Sequence, residues 1–257
     1  MISELVPTRG RPHNMKRLWD SILDTADNVK DIELCFYVDD DDDSGAWKMA
    51  QKLIKKYPDN IKAKLGPRIC LSKAWNECYE IATGPIYHHC GDDIVFLSKG
   101  WDTLVKNQFD NIYPDKIALV YGRDHKKKHP KKAYHGWIHE QWVKACGYFL
   151  PPYFSAEMND IWLTDVANMV GRKVFVKDIR MEHMHYVRGL APFDQTYQDL
   201  KERKEKDKVK EIYKEKIKDR EKNVKKLKRV IAQFKGEKKG KKRKGKAKRA
   251  HNLNLHE

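Results

Sequence analysis

Two adjacent carboxylates, Asp92 and Asp93, stand between apolar runs at residues 86–90 and 94–97, each of strand length and character. Carboxylates at the mouth of a sheet suit a hard divalent cation, held by one or two protein oxygens together with a substrate's phosphates. A plain turn also takes Asp readily. Other groups able to do chemistry are spread along the chain. Five aspartates, residues 39–43, close the apolar stretch 32–38, and either meet a ligand or form a solvated loop. Asp160 opens a stretch of helical spacing, where it serves as a base or simply favours the positive start of its helix. His183 and His185 share a face if their segment is a strand, as metal ligands or as structural histidines.

The elements that must position these groups alternate between strand and helix. Strand signals fall at residues 4–6, 32–38, 61–65, 116–121, 174–176 and 179–186, with Asp92 and Asp93 at the tip of a hairpin. Helical spacing covers residues 12–23, 71–81, 99–109 and 160–170; a further helix follows Ser44, a capable cap, and ends near Pro58. Gly171 stands as the terminator of the 160–170 helix. Such alternation implies a mostly parallel sheet covered by helices. Ligands of such sheets bind beyond the carboxyl ends of the strands, the rim where both aspartate groups fall.

Charge divides the chain. Residues 1–200 hold 28 Lys and Arg against 28 Asp and Glu, whereas residues 201–257 hold 25 against 9 and carry the whole net charge of +16. No Pro or Gly interrupts residues 197–234, which predicts a long exposed helix with a narrow apolar stripe of Val224, Leu227, Ile231 and Phe234. Residues 236–249 are of low complexity and should lack order. The expected organisation is a body over residues 1–195, a charged helical extension over 196–235 and a basic disordered tail over 236–257. Five scattered cysteines argue against a disulfide framework or a disulfide-linked partner. With no secretory signal and no run of about 20 apolar residues, the expectation is a soluble, cytoplasmic protein.

The order of these motifs resembles a family 2-type glycosyltransferase of the GT-A fold. Residues 6–12, Val-Pro-Thr-Arg-Gly-Arg-Pro, are similar to that family's opening strand and nucleotide-binding loop. Val38-Asp39-Asp40 resembles the second strand, whose terminal Asp contacts the nucleobase. Residues 71–76 followed by Gly84 resemble the helix before the metal hairpin, and Gly91-Asp92-Asp93 stands where the family has Asp-x-Asp. Residues 157–163 resemble the acidic motif on the acceptor side, and residues 182–185 resemble a closing segment with a metal-binding His. The likeness covers about residues 3–195. Gly91 departs from the motif and leaves Asp93 as the metal ligand and Asp92 as a contact to nucleotide or metal water.

The resemblance implies transfer of a sugar from a nucleotide-sugar donor, with UDP as the expected carrier, and an inverting outcome. It further implies Mn²⁺ or Mg²⁺ on Asp93 with His183 or His185, and Asp160 as general base. Donor contacts are expected from Thr8, Arg9, Arg11, Asp39, Lys73 and Asp92. Lys126–128 and Lys131–132, on the acceptor half, are candidates for phosphate contact. The basic tail is a footprint for nucleic acid, with an anionic membrane as runner-up. Small bacteriophage glycosyltransferases are similar in size, and some modify hydroxymethylated pyrimidines in DNA, which makes DNA the leading acceptor (in host cytoplasm, if the protein is viral). A lipid-linked or surface polysaccharide acceptor is the alternative. A non-catalytic nucleic-acid binder on a transferase-like fold is the other.

Overall fold

The alternation becomes, in a computed structural model that describes residues 1–124 and 131–253, one eight-stranded sheet. In chain order the strands are β1 (Ile2–Thr8), β2 (Ile32–Asp39), β3 (Ile61–Gly66), β4 (Ile86–His89), β5 (Ile94–Phe96), β6 (Leu119–Asp124), β7 (Gly136–His139) and β8 (Lys173–His183). Across the sheet they lie β3-β2-β1-β4-β7-β6-β8-β5. The first four in that order are parallel; β7 runs antiparallel to β4 and β6, and β5 antiparallel to β8. The helices are α1 (Pro12–Thr25), α2 (Ala46–Lys56), α3 (Leu71–Ile81), α4 (Trp101–Asn107), α5 (Glu140–Cys146), α6 (Asn159–Val170), α7 (Gln195–Lys206), α8 (Val209–Glu215) and α9 (Ile217–Leu253).

Strands β1 and β2 are buried on both faces, which is why they read as continuous apolar runs rather than alternating ones. Val6, Leu34 and Phe36 pack on one side with Met15, Trp19, Ala50 and Trp101 from α1, α2 and α4. Leu5, Cys35 and Tyr37 pack on the other with Trp75, Trp142, Trp162 and Leu227 from α3, α5, α6 and α9. The chain builds β1, β2 and β3 outward in one direction, then returns through α3 to lay β4 against the free side of β1. That reversal opens a crevice at the carboxyl ends of β1 and β4. All five cysteines are free.

Several expectations are corrected. Asp92 and Asp93 do not tip a hairpin, because β4 pairs with β1 and β7, whereas β5 pairs only with β8. The two strands expected over 174–186 are one strand, and β1 runs through Pro7. Between β4 and α6 the sequence reading missed β7 and α5, both short. Gly45, at φ 91°, occupies the cap of α2 in place of Ser44. The single helix expected over 197–234 is three, broken where Lys208 takes a left-handed conformation at φ 47° and again at Lys216. Nor is it wholly exposed: Val224, Leu227 and Ile231 of α9 are buried against the body.

The apolar stripe of α9 is therefore what fixes the C-terminal extension. Leu227→Ala should cost about 2–5 kcal/mol, the usual loss for emptying a buried leucine site. Denaturant unfolding of the full chain measures this, and a change below about 0.5 kcal/mol would mean that the helix is not docked.

Candidate active site

A cavity of about 490 Å³ lies over the crevice between β1 and β4. Thr8, the last residue of β1, donates its hydroxyl to Asp92 Oδ2 at 2.7 Å, and Asn14 of α1 reaches Asp92 Oδ1 at 3.4 Å. Trp75 of α3 donates its indole N–H to the carbonyls of Leu5 and Cys90, at 3.1 and 3.0 Å, and so ties the two sides of the crevice together. Asp93 Oδ2 is met by His183 Nε2 and by the Tyr197 hydroxyl, each at 3.1 Å. Arg11 Nη1 stands 3.6 Å from Asp92 Oδ1 and 3.8 Å from Asp93 Oδ2.

Two buried carboxylates side by side titrate unlike free ones. Burial raises Asp92, and its neighbour Asp93 adds to the rise against the pull of Arg11. Burial pushes Asp93 the same way, but His183, His135 and Arg11 more than offset it and hold Asp93 well below the carboxylate range. His183 is the converse: burial disfavours its charge, yet Asp93 and Asp124 keep it above its ordinary value.

At the far end of β2, Arg9 Nη1 bonds Asp39 Oδ2 at 3.1 Å and also pairs with Asp41. Asp39 is raised by burial, with Arg9 working against the rise. Asp42 accepts the Gly10 and Ser44 amides at 2.8 and 2.9 Å, whereas Asp41 and Asp43 are exposed. Arg68, Asp199 and Arg203 complete this end of the cavity.

Asp160 lines the cavity from the first turn of α6. Met158, two residues earlier, sits at φ 82°, a conformation rare for a residue with a side chain and held here by the surrounding packing. Ser72 anchors the same turn by donating to Asn159 Oδ1 at 2.7 Å. Burial pushes the Asp160 carboxyl up to about 6, with the Ile161 amide and Lys132 opposing.

Of the residues singled out in the sequence, Thr8, Arg9, Arg11, Asp39, Asp92, Asp93, Asp160, His183 and His185 all line this cavity. Lys73 does not; it is exposed on α3 and points elsewhere. Lys132 reaches the cavity, whereas Lys126–128 lie outside the described residues. Sequence reading missed Asn14, Arg68, His135, Asp194, Tyr197 and Arg203. The segment Asp194-Gln-Thr-Tyr197 carries no metal or phosphate pattern to announce it.

A cation fits beside Asp93. Gly91, in place of the usual first acid, leaves bare space where a Cβ would come within 2.8 Å of Asp93 Oδ1. A carboxylate oxygen with an imidazole suits Mn²⁺ or Mg²⁺. Both histidines are already engaged, His183 Nε2 by Asp93 Oδ2 and His185 by the backbone. His185 Nδ1 accepts the Val187 amide at 3.2 Å, so the proton of its neutral ring is on Nε2 and neither nitrogen is bare. His183 faces Asp93 directly. Among the described residues, one tight trio of metal-type donors also occurs, Glu4, His88 and Cys90. It is fully buried in the core beside Trp137, away from the cavity lining, and Glu4 is already bonded to His88 and Trp137.

Residues 3–176 match the family model for glycosyl transferase family 2. No curated protein matches the sequence. Among solved structures, the mannosyltransferase PcManGT from Pyrobaculum calidifontis, in complex with GDP-Man and Mn²⁺, superposes with TM-score 0.59 at 13% identity, over 72% of this chain and 57% of that one. The S. aureus TarS fragment 1–349 with UDP-GlcNAc gives 0.53 at 14%, over 70% and 57%. GalNAc-T7 with UDP, GalNAc and Mn²⁺ gives 0.58 at 11%, over 72% and 44%. The chain thus spans little more than half the length of the first of these, or less, and at such identities the likeness is one of fold.

The cation assignment has a direct check. Asp93→Asn preserves shape and the partner hydroxyl of Tyr197 but removes the charge, and should abolish Mn²⁺ binding measured by calorimetry while leaving cooperative unfolding intact. Binding unchanged from wild type would place the cation elsewhere.

Proposed function

The chain belongs to glycosyl transferase family 2 and has the GT-A fold, and we propose that it transfers a sugar from a nucleotide-sugar donor, a UDP-sugar in the first instance, to a hydroxyl acceptor. The observation that carries this reading is one cavity with the paired acids Asp92 and Asp93 on one wall and an elevated carboxylate, Asp160, on another. GDP-Man, UDP-GlcNAc and UDP in the structural neighbours support a nucleotide donor.

In this mechanism Asp39 and Arg9 receive the nucleoside end of the donor, and Arg11 Nη1 faces its diphosphate. Asp93 would hold Mn²⁺ or Mg²⁺, joined by His183 if that ring gives up its hydrogen bond to the carboxylate, and the bound cation would supply Lewis-acid charge to the departing diphosphate. Asp160 accepts the proton of the acceptor hydroxyl as that oxygen bonds the anomeric carbon. The bond from that carbon to the phosphate oxygen breaks, and its electron pair leaves with the diphosphate. Attack from the face opposite the leaving group makes the reaction a single, inverting displacement. Because Asp160 titrates near 6, it is mostly ionised at pH 7 yet basic enough to take a proton.

The sign of the pH dependence follows. Below about 6 the base is protonated and idle, so turnover should rise with pH through about 6 and level off above it. Asp160→Asn should lower turnover by roughly 10²–10⁴ and remove that limb, with donor binding preserved. Near-normal turnover would leave Asp160 as a helix-start residue, and loss of nothing but nucleic-acid binding would favour the non-catalytic reading.

For the acceptor, we take DNA bearing a hydroxymethylated base as the leading substrate. Its support is the excess positive charge of residues 201–257, of which Lys222, Lys225, Lys228, Arg229 and Lys235 are exposed on α9. Val224, Leu227 and Ile231 of the same helix are spent on the body rather than offered to a bilayer. Among the described residues no helix is long and apolar enough to cross a membrane. Removing residues 236–257 should weaken DNA binding and flatten its dependence on salt, since fewer counterions are released, while donor hydrolysis is unaffected. Unchanged DNA affinity and slope, or a loss of binding confined to anionic vesicles, would turn the assignment toward a lipid-linked acceptor.

A further inference from the structure

The family match ends at residue 176, but the cavity continues to a wall supplied by α7. That helix is almost wholly polar, and Tyr197 is its one buried residue. A helix with so little apolar surface is not held in place by burial. Its contacts fall instead on donor-side groups, one after another. Asp194 accepts from Arg11 Nε and Nη2 at 2.7 and 2.8 Å, and the same carboxylate caps α7 by accepting the Tyr197 amide at 3.1 Å. Thr196 donates its hydroxyl to the Arg9 carbonyl at 3.0 Å. Tyr197 donates to Asp93 Oδ2, and its ring lies 4.0 Å from the Arg11 guanidinium carbon.

We infer that Asp194 and Tyr197 are positioning residues for the cation and diphosphate, an inference that rests on Asp93 as the cation's carboxylate. Tyr197, with His183, occupies Oδ2 of that carboxylate. The oxygen left to a metal is Oδ1, which faces the bare Cα of Gly91. Asp194 governs Arg11. At 3.6 and 3.8 Å its Nη1 is farther from Asp92 and Asp93 than a charged hydrogen bond, which closes to about 2.7–2.9 Å. Freed from Asp194, the guanidinium would close that gap and put its charge where a divalent cation belongs. Asp194 thus keeps Arg11 near enough to offset the repulsion between two acids and far enough to leave them available.

The test is Mn²⁺ titrated calorimetrically into the full chain without donor, with thermal unfolding in parallel. The proteins are wild type, Asp93→Asn, Asp194→Asn, Asp194→Glu, Tyr197→Phe and Gln198→Ala. Tyr197→Phe keeps the ring beneath Arg11 and removes only the hydroxyl. Asp194→Asn and Tyr197→Phe should bind Mn²⁺ about 10–100-fold more weakly than wild type, the usual effect of removing a partner behind a metal ligand. Their unfolding should stay near that of wild type, Asp194→Glu should recover part of the affinity, and Gln198→Ala, half-buried on the same helix and bonded to Glu202, should match wild type. If both positioning variants bind Mn²⁺ normally while Asp93→Asn does not, the positioning role is wrong and the cation site stands. If wild type binds no Mn²⁺, or Asp93→Asn binds it equally well, the cation site falls and this inference with it.

Discussion

Two carboxylates on consecutive residues, both shielded from water, define the problem that this fold solves. Left alone, Asp92 and Asp93 would repel each other and take up protons. Each is instead met by donors from separate parts of the chain: Thr8 from β1, Asn14 from α1, His183 from β8 and Tyr197 from α7, with Arg11 set between the two. The donors are shared unequally. Asp93 is held below the ordinary carboxylate range, whereas Asp92 is raised above it. The asymmetry makes one of two like side chains the natural seat for a cation. It also makes the crevice between β1 and β4 dependent on elements far from it in sequence.

The chain's two ends of organisation were not equally legible. Helix α3 and the stop of α6 at Gly171 could be read directly, because capping chemistry and apolar spacing are local. Asp39 and Asp93 could be placed at the rim because each ends or follows an apolar run. What could not be read is pairing between distant segments. Nothing local says that β5, three residues long, joins the sheet only through β8, or that β4 turns its other edge to β7. Tyr197 looked like one more residue of a charged helix because its role depends on what it meets, not on its neighbours in sequence. Lys73 failed for the complementary reason: a plausible residue type on a correctly read helix, but on the wrong face.

The C-terminal helices divide their work by the kind of contact they make. Helix α9 is held by Val224, Leu227 and Ile231 in the core, with Arg220 stacked over Trp162 and Tyr213. Helix α7 is held by ion pairs and hydrogen bonds at the cavity, among them Arg68 with Asp199 and Lys204 with Glu157. Apolar docking is insensitive to salt, whereas partly exposed ion pairs are individually weak and screened. One helix is therefore fastened to the body and the other is attached chiefly through the groups that a ligand would engage.

The sequence distances spanned by these contacts bear on the order in which the protein can come into being. His183 meets Asp93 across 90 residues, Tyr197 meets Asp93 across 104, and Asp194 meets Arg11 across 183. During synthesis from the N-terminus, β1 to β4 can pair long before Asp93 finds His183 and Tyr197, since those two are among the last residues of the body to emerge. A nascent chain that stops short of α7 would carry the sheet, the crevice and His183, but would lack Tyr197 on Asp93 and Asp194 on Arg11. Competence to hold a cation thus comes late, and the ribosome would release a finished site rather than a growing one.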